Sequence, residues 1–367
     1  MKKIYLLLSL MILAGGGVFS QATFSTGAMD VNVNTYGRIR LLSPGGSVRH
    51  LQRASILVGT SSSEVFDYTN DAEPLEAAAL VSNPTWSDFE IYGSIDNTYS
   101  NLPPNVIVKI YAYGWTNQAY TIVKFNVKNA ETTPITASIG LDIIPELNQE
   151  YGFDTVTYNS VTGVARFHRG TDVNMGVKLL SASLSTLYSF EWFSGYTTDA
   201  NYWTWMSNGA LQSQYASNTD DGPVTITSQA PVVINPGESV DLFYAFALGV
   251  NQQAMLAGIS AASEKYASLF VSLDDLQANN KKFKLEANYP NPFSSSTTIA
   301  YNLPSDGFVS LKVYDALGNE VTTLVNQNQT EGSHTYEFNT KQLAGGVYYY
   351  TLIFNDSVKT NKMLLVR

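Results

Sequence analysis

The side chains best suited to bind a ligand lie in one aromatic segment, YSFEWFSGYTTDANYWTWMSNGA, at residues 188–210. It contains Trp192, Trp203 and Trp205. Aromatic rings on a protein surface can stack on sugar rings, while nearby polar groups bond the hydroxyls. Such rings can equally fill a core, because each buries a large area. The segment therefore indicates either a glycan-binding surface or a packed core, and as a strand it would place Trp203 and Trp205 on one face.

Histidines that could act as bases or metal ligands are few. His50 lies in SVRHLQR and His168 lies in ARFHRG, so both are flanked by arginine. Neighbouring positive charges lower the pKa of a histidine and oppose the binding of divalent metals. Neither histidine is therefore predicted to be a catalytic base or a ligand.

Carboxylates offer a second route to chemistry, because a pair held about 5–10 Å apart can hydrolyse glycosides. The candidate pairs are Glu90 with Asp96, and Asp220 with Asp221. Neither pair has supporting context, and the stretch NTDDGP around the second has the composition of a turn. The sequence therefore predicts no catalytic residue, no metal site and no cofactor. It predicts that the protein is not an enzyme.

The overall composition indicates an exported all-β protein. Only 14% of the 367 residues are charged, whereas there are 23 Tyr and 26 Gly, which suits strands joined by tight turns. The net charge of −10 argues against binding a nucleic-acid backbone, which needs clustered Lys and Arg. Cysteine is absent, so no disulfide or thiolate chemistry exists, and packing alone must hold the protein together.

The first residues predict export. MKKIYLLLSLMILAGGGVFSQA has two lysines, an apolar run over residues 4–13 and then small residues, which is the layout of a secretory signal peptide. The apolar run is about half of the roughly 20 residues needed to span a bilayer. The sequence therefore predicts a signal peptide at residues 1–22 and no transmembrane helix in the mature chain.

Residues 23–272 are predicted to form a large β-sandwich domain. VIVKIYAYGW at 106–115 and YTIVKFNVKN at 120–129 alternate in hydrophobicity and are joined by a short turn, which indicates a hairpin. By contrast, apolar residues recur every three or four positions in 251–270, which predicts one helix that closes the domain at an edge or end of the sheets. Polar residues 273–284 are predicted to be a linker.

Residues 285–367 alternate again and predict a small immunoglobulin-like sandwich of about seven strands. Its first part, NYPNPFSSSTTIAYNLP, holds three of the 13 prolines. Pro290 and Pro292 lack an N–H and fix φ, so the segment cannot pair fully as a strand. We expect it to be a stiff entry to the domain, with Phe293 anchoring it to the sandwich.

The ordered series NYPNPF, TTIAYNLP, VSLKVYDALGNEV, GSHTYEF, LAGGVYYYTL and KMLLVR closely resembles the type A C-terminal sorting domain of the type IX secretion system of Bacteroidota. The resemblance covers under a quarter of the chain. It departs from the family where Ser294 and Ser295 replace the usual Asn-Pro. The matching motif residues are Tyr289, Pro290, Asn291, Pro292, Phe293, Tyr314, Asp315, Gly318, Gly332, Gly346, Tyr348, Lys362 and Met363.

This resemblance implies a route and two partners. The signal peptide would carry the chain into the periplasm, and the outer-membrane translocon would then recognise residues 285–367. A sortase commonly removes such a tail, so residues 23–272 would be released from the cell or attached to its outer surface. The predicted function is that of an extracellular, non-enzymatic structural or binding protein. A carbohydrate-binding module using residues 188–210 and an extracellular hydrolase remain the alternatives.

Overall fold

A computed structural model describes residues 21–170, 173–271, 283–304, 306–316, 318–340, 343–354 and 357–366. The chain forms two compact units, Met1–Leu269 and Phe270–Arg367. Residues 1–20 of the predicted signal peptide and residues 273–282 of the predicted linker lie outside the described residues. The limits of these two segments therefore stay predictions.

The first unit contains two nine-stranded sheets within its described residues, and neighbouring strands in both are antiparallel. The first sheet has the order β1-β2-β3-β4-β10-β16-β14, with β5 paired to β4 and β17 paired to β10. Its strands are β1 Gln21–Ser25, β2 Asp30–Asn34, β3 Ile39–Leu42, β4 Arg49–Ser61, β5 Glu64–Phe66, β10 Ile135–Pro145, β14 Leu184–Phe190, β16 Val224–Gln229 and β17 Val232–Ile234.

The second sheet has the order β15-β11-β12-β13-β18-β9-β8-β7-β6. Its strands are β6 Glu73–Leu80, β7 Phe89–Asp96, β8 Val106–Gly114, β9 Tyr120–Asn129, β11 Thr155–Asn159, β12 Val164–His168, β13 Asn174–Leu179, β15 Gln214–Ala216 and β18 Ser239–Gly249. The predicted hairpin is confirmed, because β8 pairs with β9 from Val106 opposite Asn129 to Gly114 opposite Thr121.

The core of this unit joins buried side chains from both sheets, such as Ile56 and Ile139 of the first and Val108 and Phe125 of the second. On β4, Ala54, Ile56 and Val58 belong to this core. Since side chains alternate along a strand, Arg53 points to the opposite, outer face of the first sheet. The all-β prediction is confirmed, and the unit is a large sandwich.

Helix α2, Gln252–Leu269, confirms the predicted helix but corrects its position. It packs on β18, β13 and β9, which are central strands of the second sheet, and not at an edge or end. Gly176 makes room for it, since a β-carbon there would lie 2.3 Å from Met255 Sδ. The run Leu242–Leu248 is buried throughout because the sandwich core covers one face of β18 and α2 covers the other.

A second helix, α1, spans Asp199–Met206 and was not predicted from the sequence. It contacts β4, β5, β10, β14 and β16, so it covers part of the outer face of the first sheet. One turn of 3₁₀-helix, Leu147–Gln149, follows β10. No helix among the described residues is both long enough and apolar enough to cross a membrane.

The second unit is a small sandwich of two antiparallel sheets. One sheet has the order β19-β20-β23 and the other has the order β22-β21-β24-β25. The strands are β19 Lys284–Leu285, β20 Ser296–Leu303, β21 Gly307–Tyr314, β22 Glu320–Gln329, β23 Gly332–Asn339, β24 Gly346–Phe354 and β25 Ser357–Leu365. The predicted inward positions Ile299, Leu303, Val309 and Val313 are fully buried between the sheets.

Candidate functional site

The aromatic segment forms a helix with its flanking loops, and the strand predicted through Trp203 and Trp205 is wrong. Thr198 caps α1, and its side chain accepts a hydrogen bond from the backbone N–H of Asn201. Tyr202 and Met206 are one helical turn apart and are buried on the outer face of the first sheet. The segment therefore builds a second, smaller core on this face.

The three tryptophans play two different parts. Trp203 is half-buried over Gly59, where a β-carbon would lie 3.2 Å from its ring. Trp205 stacks on Phe190 with ring centroids 4.0 Å apart. Trp192 instead exposes 45% of its surface. Of the three predicted glycan-binding residues, Trp192 alone is exposed, and the other two pack in the smaller core.

Trp192 opens onto a pocket of about 300 Å³ on the outer face of the first sheet. The sheet contributes Gln52 and Arg53 from β4 and Ile144 from β10, and Arg38 lies immediately before β3. Loops contribute the remaining lining residues, which are Tyr68, Tyr151, Trp192, Asp220 and Asp221. The pocket thus combines aromatic rings with groups that donate or accept hydrogen bonds, which is typical of a small-molecule site.

A buried ion pair forms one side of the pocket. Arg53 Nη2 lies 2.5 Å from Asp142 Oδ2 and also contacts the hydroxyl of Tyr196. The hydroxyl of Tyr202 donates to the same carboxylate oxygen at 2.8 Å. Burial alone would lower the pKa of Arg53, but the negative charge of Asp142 outweighs it, and the pKa of Arg53 is raised. Arg53 therefore stays charged at the pocket.

Arg38 is the second cation of the pocket and lacks such a partner. Its side chain forms no hydrogen bond or ion pair with any described residue, and its Nε is buried and unbonded. Burial lowers the pKa of Arg38, and the nearby charges of Arg49 and Arg53 act in the same direction. A half-buried guanidinium among other cations is costly unless something supplies a counter-charge.

Two loops that meet backbone to backbone hold one wall of the pocket. Gly152 has φ +73°, and a β-carbon on it would lie 2.2 Å from the Cα of Asp220. The N–H of Phe153 donates to the carbonyl of Thr219 at 2.9 Å. Arg169 fixes the first loop by contacting the carbonyl of Gly152 and, at 2.9 Å, the carboxylate of Asp154. Tyr151 and Asp220 therefore come to the pocket together.

Glu191 holds the loop that carries Asp220 and Asp221 through hydrogen bonds to residues just before it. Its carboxylate accepts hydrogen bonds from Tyr215 at 2.8 Å, Ser217 at 3.0 Å and Thr219 at 2.7 Å. Burial would raise the pKa of Glu191, but these hydrogen bonds outweigh it and lower the pKa. The next residue, Trp192, donates its backbone N–H to the carbonyl of Asp221 at 3.0 Å. The tryptophan is thereby fixed beside the two aspartates.

The other sequence candidates for chemistry lie elsewhere. His50 is buried with Nε2 2.8 Å from Ser43 Oγ, and its Nδ1 accepts the N–H of Asn148 at 3.2 Å, so it ties β4 to the 3₁₀ turn. Glu90 and Asp96 lie on one strand, β7, six residues apart. At about 3.3 Å per residue this separates them by roughly 20 Å, too far for a glycosidase pair.

The proline segment of the second unit is tied to the sandwich at both ends. Tyr289 and Thr298 exchange backbone hydrogen bonds at 3.0 and 2.9 Å. The N–H of Phe293 donates to the carbonyl of Leu364 at 3.0 Å, and the Phe293 side chain is only 2% exposed within the core. The side chain of Asn291 bonds Leu364 and Lys362 of β25. The expected anchoring role of Phe293 matches these contacts.

The remaining motif residues of this unit divide between turns and core. Asp315 accepts the backbone N–H of Asn319 at 2.9 Å, and Gly318 in the same turn has φ +86°. Gly332 also has a positive φ, whereas Gly346 does not. Met363 and Tyr348 are buried. Tyr314 is half-buried, and Lys362, Pro290, Pro292 and Tyr289 are exposed.

The second unit matches a known protein family. Residues 287–366 match the family described as "Secretion system C-terminal sorting domain". This part of the chain is therefore a sorting domain, and it supports assignment of the protein as a cargo of type IX secretion. No curated protein sequence matches the chain.

Solved structures resemble the chain at the level of fold. A bacterial glucoamylase complexed with acarbose is 9% identical with a TM-score of 0.50, and the match covers 74% of this chain. The chain spans only 39% of that enzyme's length. A putative aldose 1-epimerase from Escherichia coli K12 and a galactose mutarotase-like protein from Lactobacillus casei are each 9% identical, with TM-scores of 0.38. These matches cover 63% of this chain and 99% and 100% of theirs, respectively.

Proposed function

We propose that the large β-sandwich is a sugar-binding domain that the sorting domain delivers to the outside of the cell. The observation that carries this proposal is Trp192, an exposed ring held at the mouth of a pocket that also contains Tyr68, Tyr151 and hydrogen-bonding side chains. Aromatic faces suit the apolar faces of a sugar ring, and Asp220, Asp221 and Gln52 suit its hydroxyls. The glucoamylase likeness supports the fold alone.

Binding without turnover is the activity that we propose. The buried carboxylate of Asp142 is occupied by Arg53 and Tyr202, so it is a structural group and not a base awaiting a substrate. Asp220 and Asp221 are consecutive residues in a turn between α1 and β16, as their composition predicted. Their positions suit the acceptance of hydrogen bonds from hydroxyls.

The delivery route is the second part of the proposal. We infer that a signal peptide within residues 1–22 takes the chain to the periplasm and that the translocon and a sortase then act on residues 285–367. Deletion of residues 285–367 is expected to leave the protein in the periplasm. Recovery of the truncated protein outside the cell would contradict this route.

A glycan array probed with the full chain tests the binding function. We expect Trp192→Ala to reduce the signal on bound glycans at least about tenfold, since a well-placed aromatic contact in a pocket contributes more than about 1.4 kcal/mol. Trp86→Ala is the matched control, because Trp86 is also a surface tryptophan, 47% exposed, and does not line the pocket. Binding that Trp192→Ala leaves unchanged, or no binding to any glycan, would overturn the proposal.

A further inference from the structure

The cationic side of the pocket holds one arginine, Arg38, that has no ion pair with a described residue. Asp142 neutralises Arg53, and Glu146 bonds Arg49 at 2.7 Å. Arg38 lies near these arginines without an ion pair of its own to a described residue. Asp220 and Asp221 line the same pocket but form no ion pair with Arg38, so its half-buried guanidinium, with Nε unbonded, is placed to pair with an anionic group of a ligand.

The aromatic lining restricts what can bring this charge. Tyr68, Tyr151 and Trp192 line the same cavity as Arg38. A small inorganic anion would leave these rings without a partner, whereas a neutral sugar would leave the guanidinium without one. A sugar ring with an apolar face, several hydroxyls and one carboxylate satisfies all of these groups. Its apolar face stacks on the aromatic side chains, its hydroxyls donate to Asp220 and Asp221, and its carboxylate pairs with Arg38.

We propose that the pocket takes a sugar that bears a carboxylate and that Arg38 forms the ion pair with it. This inference rests on the proposed function and adds the ligand class. The planar guanidinium presents two parallel N–H donors, which fit a carboxylate in a bidentate manner. Arg53 approaches the same cavity but has Asp142 and Tyr196 as partners, so Arg38 carries the selectivity for the acid.

The carboxylate can come from a uronic acid or from a sialic acid, and matched ligand pairs distinguish the two. We would titrate the full chain at about 0.15 M salt with trigalacturonic acid and its methyl ester, and with sialyllactose and lactose. Exposed ion pairs contribute less than about 1 kcal/mol at this salt concentration, so a tenfold preference reports a partly buried pair. We expect the acid of one pair to bind at least about tenfold more tightly than its neutral counterpart.

Three variants locate the recognition. Arg38→Gln is expected to remove the preference for the acid while leaving weak binding of the neutral ligand. Arg38→Lys keeps the charge but loses the planar fork, so it should retain part of the preference. Arg40→Gln is the control, because Arg40 carries a charge on the adjacent strand β3, two residues after Arg38, and does not line the pocket. Tryptophan fluorescence checks that each variant is folded.

The outcomes separate this inference from the function on which it rests. Equal binding of acid and neutral ligands would overturn the carboxylate and leave sugar binding intact. A preference for the acid that survives in Arg38→Gln, or that is lost in Arg40→Gln, would overturn the role of Arg38. Absence of binding to all four ligands and to a full glycan array would overturn both.

Discussion

Asp142 Oδ2 lies 2.5 Å from Arg53 Nη2 on a face of the first sheet that α1 and its loops cover. The Asp142 side chain is 1% exposed and that of Arg53 is 13% exposed, so the pair is largely removed from water. Tyr196 and Tyr202 come from the aromatic segment and add hydrogen bonds to it. This pair therefore connects the sheet to the segment that carries Trp192.

The first prediction concerns the stability of this pair. Asp142→Asn is expected to reduce the free energy of unfolding by about 3 kcal/mol, because it leaves the Arg53 charge buried without its counter-ion. Tryptophan fluorescence in urea measures this selectively, since all five tryptophans lie in the first unit. Asp241→Asn is the control, because Asp241 is 41% exposed beside Lys124 and should cost under about 1 kcal/mol. Equal costs would show that burial does not set the strength of the Arg53 pair.

The second prediction separates the two kinds of tryptophan. Trp205→Ala is expected to cost about 3 kcal/mol in the free energy of unfolding, because it removes a ring stacked on Phe190 in the smaller core. Trp192→Ala should cost less than about 1 kcal/mol, because the residue is 45% exposed and its loop is held by Glu191 and Asp221. Urea unfolding followed by circular dichroism gives both values. A larger loss in Trp192→Ala than in Trp205→Ala would contradict the assignment of roles.

The third prediction concerns the contact between the two pocket loops. Gly152→Ala should cost about 2–3 kcal/mol and displace the loop that carries Tyr151, because the added methyl group meets the backbone of Asp220 in a positive-φ conformation. Gly45→Ala is the control for backbone strain alone, since Gly45 has φ +82° and nothing within 4 Å of a β-carbon. The difference between the two unfolding free energies isolates the steric term. If the two variants are equally stable, the loops do not meet as described.

The fourth prediction follows from the buried carboxylate of Asp67. Asp67 is fully buried, and burial raises its pKa to about 7. The folded protein therefore retains a proton that the unfolded chain has lost between about pH 4 and pH 7, so this group contributes stability at low pH that is lost as the pH rises through 7. Asp67→Asn should remove this contribution. Urea unfolding at several pH values measures it, and a wild-type and variant difference that is independent of pH would contradict the assignment.

The fifth prediction concerns the sorting domain. Phe293→Ala is expected to destabilise this domain by about 3–4 kcal/mol, because the ring is almost wholly buried between its sheets. The exported fraction should fall accordingly, measured by immunoblotting of cells and medium. Tyr289→Ala removes a ring that is 82% exposed and should leave stability within about 0.5 kcal/mol of wild type. Normal export of an unfolded Phe293→Ala domain would contradict recognition of a folded tail.

Local pattern in the sequence predicted much of the fold. Alternation located β8 and β9, and helical spacing located α2, because each depends on neighbours within one element. Helix α1 was missed because its aromatic residues favour strands. The available signals were the capping residue Thr198 and the spacing of Tyr202 and Met206.

The pocket was predicted only in part. Trp192 was named as a ligand-binding candidate, and Asp220 and Asp221 were named as a turn. Arg38 carries no local signal, because its significance depends on residues more than 100 positions away, such as Tyr151 and Trp192. These residues, far apart in the sequence, are brought together by the pairing of β4 with β10 and by the packing of loops. No short window of sequence contains that information.

The most direct test of the account is the set of tryptophan indole N–H signals in a ¹⁵N-labelled full chain, assigned by Trp→Phe replacement. Addition of a glycan that the array identifies should shift the Trp192 signal and leave the signal of Trp86 in place. A shift of Trp86 with Trp192 unmoved, or saturating binding that moves neither signal, would contradict a sugar site at the Arg38–Trp192 pocket.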